Sequence, residues 1–136
     1  VDAVILAAAG VILLNLPMGT LVDIQAMIPS PGQGIIAVQS RADDDEINSL
    51  IKGLDHEKTR MCAETERAFL AALGQDCNLP AGAYATLGEH GISITGILGS
   101  TDEARMEKMH MEGDNPLVGR KLAQSLLEKI HSEPVQ

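Results

Sequence analysis

Residues 83–98 read AYATLGEHGISITGIL, two apolar runs that alternate with a period of two on either side of Gly88-Glu89-His90-Gly91. A period of two marks a strand with one buried face, and a short glycine-bounded link between two such runs reads as a hairpin. The spacing predicts strands over Ala83 to Leu87 and Ile92 to Leu98, with Ile92, Ile94 and Leu98 on one face. A third strand is expected near Arg105 to Met111. There Met106 falls on one face and Met109 and Met111 on the other, an irregularity that leaves either a bulge or a misreading of the strand open.

On both sides of this β region the apolar period lengthens to that of a helix. Met61, Ala68, Phe69, Ala72 and Leu73 define a helix from about Glu57 to Leu73, with Gly74 as its stop. Before it, Asp43, Asp44 or Asp45 caps a helix that carries Ile47, Leu50 and Ile51 on one face. At the other end, Asp114 or Asn115 with Pro116 opens a helix striped by Val118, Leu122, Leu126 and Ile130. From residue 42 to 136 the order is helix, helix, strand, strand, strand, helix. That order describes an α+β domain, a small three-stranded antiparallel sheet with helices packed on one face.

Residues 1–41 read differently, as α/β pieces. Val1 to Leu6 is a short run, apolar but for Asp2, that reads as a strand buried on both faces, and IIAVQS, residues 35–40, reads as a second compact strand. Between them lies Ile28-Pro29-Ser30-Pro31-Gly32-Gln33-Gly34, a rigid loop. Doubly buried strands need partners that these 136 residues do not supply, so the front third is expected to be cut from a larger body. The apolar stretches Val1 to Leu16 and Ile35 to Val38 would then seek other surfaces, by dimerisation or strand exchange.

Composition narrows the function classes. With 10 Lys and Arg against 19 Asp and Glu, the net charge is −9, which argues against a nucleic-acid or anionic-membrane partner. The apolar run from Ala3 to Leu14 is shorter than the ~20 residues a membrane span requires. One Phe, one Tyr and no Trp leave the core to aliphatic side chains. Cys62 and Cys77 show no CxxC spacing and are too few for a disulfide framework, which suits a reducing, cytoplasmic setting. His56, His90, His110 and His131 share no metal-ligand spacing, and no metal site is expected.

Two stretches carry candidate chemistry. GQGIIA, residues 32–37, matches a GxGxxA dinucleotide fingerprint, but the preceding prolines and the β-rich sequence after it favour a tight turn needing positive φ. A nucleotide site there would require a helix after Ile35. In ETERAFLAALGQDC, residues 64–77, Glu66 and Arg67 lie on the helix that leads into a turn-rich loop holding Cys77. A cation near a thiol favours the thiolate and Asp76 opposes it, so spacing alone leaves both an activated and an idle thiol open.

The run Glu66-Arg67-Ala68-Phe69, then Leu73, Cys77, Pro80 and Gly82-Ala83-Tyr84-Ala85, resembles the cofactor-attachment signature of the porphobilinogen deaminases, also called hydroxymethylbilane synthases. DAVILAAAG, residues 2–10, resembles the last strand and turn of that family's second domain. IPSPGQGIIAVQSR, residues 28–41, resembles the segment that returns to its first domain. The resemblance implies a third, cofactor-carrying domain over 42–136, preceded by remnants of domains two and one. It implies that Cys77 carries a dipyrromethane cofactor through a thioether, and that the whole enzyme condenses four porphobilinogen molecules into hydroxymethylbilane with release of ammonia. Arg67 would face the carboxylates of the pyrrole chain, and Gln33 and Gly34 would approach the cofactor or shape the hinge. The family's catalytic aspartate lies in its N-terminal part, so no catalytic residue is expected here, and these residues alone are expected to be inactive without domains one and two. Gln75 and Asp76 stand where the family has small residues, and Leu13 where it tends to have arginine. The competing reading is a non-enzymatic α+β interaction module with an unmodified cysteine.

Overall fold

The computed structural model describes residues 2–74, 79–100 and 105–132. Its element order is α1 (Ala8–Leu13), α2 (Asp45–Ile51), a 3-10 turn (Lys52–Leu54), α3 (Glu57–Ala72), β1 (Ala81–Gly88), β2 (Gly91–Gly99), β3 (Met106–Gly113) and α4 (Leu117–His131). The three strands form one antiparallel sheet in the order β1-β2-β3, with Ala85 opposite Ile94 and Ile94 opposite Met111.

Alternation fixes which face is buried. Ala83 and Ala85 of β1 and Ile92, Ile94 and Leu98 of β2 point into the core, and Met109 and Met111 of β3 pack against it. α3 contributes Phe69, and α4 contributes Val118, Leu122, Ala123 and Leu126. Helices therefore cover one face of the sheet, as the alternating pattern predicts. β3 runs from Met106 to Gly113 in unbroken register against β2. The strand is there and has no bulge: Met106 is simply exposed at its start, on the face opposite Met109 and Met111.

Local chemistry sets the element ends. The Asp44 side chain accepts from Ile47 N–H at the start of α2, and His56 Nδ1 sits 2.7 Å from Thr59 Oγ1 at the start of α3. Gly74 leaves α3 at φ +87°, a conformation that favours glycine. α4 runs on to His131. Its last carbonyls are held by Arg105, whose guanidinium donates to Lys129 O, Ile130 O and Ser132 O at 3.0, 3.2 and 2.7 Å. A cation at a helix C-terminus also complements the dipole.

The front third differs from its expected form. Residues 2–7 are not a strand, and the chain turns into α1 at Ala8. Residues 35–40 are extended but unpaired, with Ile36 92% exposed. Apolar sequence favours a buried strand, but a strand forms only where a neighbour supplies a ladder, and the described residues offer none to either segment. Ile28 is the single buried hydrophobic residue before α3 among the described residues. No helix among them is long and apolar enough to cross a membrane.

Candidate functional site

The proline-glycine loop meets the α+β unit at the free edge of β1. Ala83 and Ala85 point their N–H groups away from β2. Ala83 N–H donates to Pro29 O at 2.9 Å and Ala85 N–H to Glu66 Oε1 at 2.8 Å. Gly82 allows the approach, since a Cβ there would lie 2.8 Å from Ile28 O and 2.9 Å from Pro29 O. On the outer face of the sheet, Lys108 Nζ donates to Gln25 O at 2.6 Å. Gly32 and Gly34 both take positive φ, +81° and +86°. The chain after Ile35 is extended, so GQGIIA is a turn, and the helix that a dinucleotide site requires is absent there.

This docking leaves a cleft of about 340 Å³ lined by Gln33 and Gly34 from the loop, Lys58, Cys62 and Glu66 from α3, and Tyr84 from β1, among others. Gln33 Oε1 accepts from Ser30 N–H at 3.3 Å, which holds the side chain on its own turn. Cys62 is half-buried. Burial pushes its thiol pKa up, the Glu66 charge raises it further, and a backbone hydrogen bond at Leu87 opposes both. Sequence spacing sets Glu66 beside Arg67 and the Cys77 loop and gives Cys62 no place in a site; the structure puts Glu66 and Cys62 together in this cleft. Their i, i+4 spacing on α3 was the available signal, since it places both on one helix face.

Glu66 and Arg67 are neighbours in sequence but diverge by about 100° around α3. Glu66 is buried and committed to backbone N–H groups. Arg67 is exposed, does not line the cleft, and makes no hydrogen bond or ion pair with a described residue. It lies on the last turns of α3, seven residues before Gly74, where the chain leaves the helix. Cys77, with Gln75, Asp76 and Asn78, lies outside the described residues. The flanks of that stretch are tied down. Gly74 ends α3, Leu79 packs on the core, and Pro80 accepts from Gly99 N–H at 2.7 Å while its ring lies over Gly99. The structure thus brings Gln33 and Gly34 together with Glu66 and Cys62, and sets Arg67 on a separate surface.

The donors present suit a ligand rich in carboxylates. On its own surface Arg67 offers an uncommitted guanidinium for bidentate pairing, and the cleft separately holds the Lys58 ammonium, the Gln33 amide and the Tyr84 phenol. No group of three or more His, Cys, Asp or Glu side chains able to hold a metal ion occurs among the described residues.

Two family models match the chain: the porphobilinogen deaminase C-terminal domain over residues 60–128, and the porphobilinogen deaminase dipyrromethane cofactor binding domain over residues 1–49. Among curated proteins, a porphobilinogen deaminase of Brevibacillus brevis is 41% identical over 130 residues, covering 93% of this chain and 42% of the relative. One from Xanthomonas euvesicatoria is 37% identical over 133 residues, and one from Roseiflexus sp. 37% over 132, each covering 94% of this chain and 44% of the relative. The chain thus spans less than half the length of these relatives.

Proposed function

We propose, from the premise that the chain belongs to the porphobilinogen deaminase family, that these residues are the cofactor-carrying part of an enzyme that joins four porphobilinogen molecules into hydroxymethylbilane. The observation that carries this reading is the match of the C-terminal domain model to residues 60–128, which include Arg67 and Cys77. In this reading residues 42–136 are the cofactor-carrying domain, working in the cytoplasm together with the portion of the relatives that has no counterpart here. The exposed apolar residues of the front third, Val4, Ile5, Leu6 and Ile36 among them, are the surface available to those domains or to a second copy of the chain.

The cofactor supplies, when bound, the pyrrole terminus on which the product chain grows. Cys77 Sγ would hold it through a thioether, an anchor spent once and not in each turnover. The Arg67 guanidinium binds acetate and propionate carboxylates, and its exposure lets it meet them without first breaking an internal ion pair. Gln33 and Gly34 border the approach. Gly34, at φ +86°, brings backbone close to a ligand without a side chain in the way.

Incubation with porphobilinogen tests the reading. The 136-residue chain alone is expected to form no hydroxymethylbilane. Joined to the portion of the Brevibacillus brevis relative that it does not cover, it is expected to turn over, and Cys77→Ala in that joined protein to reduce turnover to background. Turnover by the chain alone, or by the joined Cys77→Ala protein, would contradict it.

A further inference from the structure

Glu66 is the only Asp or Glu buried among the described residues, 4% exposed, and it makes no ion pair with a described residue. Burying a carboxylate is costly unless its oxygens are satisfied. Each oxygen has one partner, and the partners are 53 residues apart in the chain: Oε1 accepts from Ala85 N–H at 2.8 Å, and Oε2 from Gly32 N–H at 2.7 Å. Both distances fall in the short range of charge-assisted hydrogen bonds. One side chain therefore joins three segments: α3, the edge of β1, and the proline-glycine loop.

Two further contacts hold that loop at the same edge, the bond from Ala83 N–H to Pro29 O and the close fit of Ile28 and Pro29 over Gly82. Both act before Ser30. Beyond it, Gln33 N–H to Ser30 O and Ile35 N–H to Gly32 O close the turn only on itself. From Gly32 onward, Glu66 supplies the loop's hydrogen bond to the α+β unit.

We propose that Glu66 is a clasp that registers the Gly32–Gly34 turn on the edge of β1 and so positions Gln33 and Gly34 at the rim of the cleft. Its consequence for cofactor approach rests on the function proposed above, whereas the clasp does not. Glu66 is a positioning residue here, because its oxygens are occupied by backbone and the groups it sets in place are Gln33 and Gly34. It also occupies an edge donor of β1 that would otherwise be open to another strand.

Native-state amide hydrogen exchange on the 136-residue chain tests this. In the wild type, Gly32 N–H is expected to be protected at least about tenfold more than Gly34 N–H, which has no partner among the described residues. Glu66→Gln keeps the shape but replaces one acceptor by a donor, so one of the two N–H groups loses its partner. Exchange at Gly32 or Ala85 should rise at least about tenfold, while Ile94 and Leu122 in the core change far less. Glu66→Asp, too short to reach both donors, should have the same effect. If Glu66→Gln does not fold, the wild-type comparison of Gly32 with Gly34 still decides. Equal exchange at those two amides, or wild-type exchange at both Gly32 and Ala85 in a folded Glu66→Gln chain, would overturn the clasp. The exchange pattern is independent of turnover, so the clasp and the proposed function fail separately.

Discussion

Gly119→Ala is expected to destabilise the chain by about 3 kcal/mol or more, enough to remove most of the stability of a domain this size. Gly119 lies in the first turn of α4, where that helix crosses α3 with backbone against backbone. A Cβ there would overlap the Thr65 carbonyl oxygen and stand 3.1 Å from Phe69 N. A long side chain can swing aside from an added methyl, but a helix backbone cannot. The helices would have to separate, and the seating of Phe69 and Leu122 would be lost with their approach. Urea titration monitored by circular dichroism reads the effect as a lower midpoint. A midpoint corresponding to less than about 1 kcal/mol of loss would show that the crossing is not as close as described.

Phe69→Ala should cost about 3–5 kcal/mol. This is the chain's only phenylalanine, fully buried, in a core otherwise built from aliphatic residues. Its ring lies over Gly96 of β2, where a Cβ would come 2.8 Å from the ring edge and 3.0 Å from Leu122 Cδ2. Gly96 therefore makes room for the ring, and the two positions should couple. Gly96→Ala is expected to destabilise the wild type by overpacking and to cost less, or nothing, in the Phe69→Ala background. Additive effects in that double-mutant cycle would contradict the packing of ring on glycine.

These two sites were unequally legible. Phe69 was assigned to an apolar helix face from spacing alone. Gly119 carries no such signal, because a helix crossing is a property of two segments and leaves no mark in either. The hairpin was legible for the opposite reason, since alternation and a turn of Gly88-Glu89-His90-Gly91 are local. The strands expected over residues 1–6 and 35–40 illustrate the limit. Their apolar runs express a preference for burial, and the ladder that would make them strands must come from elsewhere. Glu66 shows the same limit within the site. Sequence placed it beside Arg67 and near the Cys77 loop, but its actual partners, Gly32 and Ala85, are backbone donors that no side-chain pattern encodes. The role proposed for Cys77 rests only on the motif around it, because a thiol among turn residues does not say whether it is bound or free.

Isolation of the polypeptide from its native source, followed by alkylation at neutral pH and a peptide map of both cysteines, tests the central claim most directly. Cys62 serves as the internal reference. Its raised pKa keeps it largely protonated at neutral pH, and its alkylation should quicken only as the pH rises towards that value, so it should label slowly in the folded protein and fully once unfolded. The account predicts that the peptide containing Cys77 carries the mass of a dipyrromethane and resists alkylation even after unfolding. A Cys77 peptide of unmodified mass that alkylates freely would contradict it.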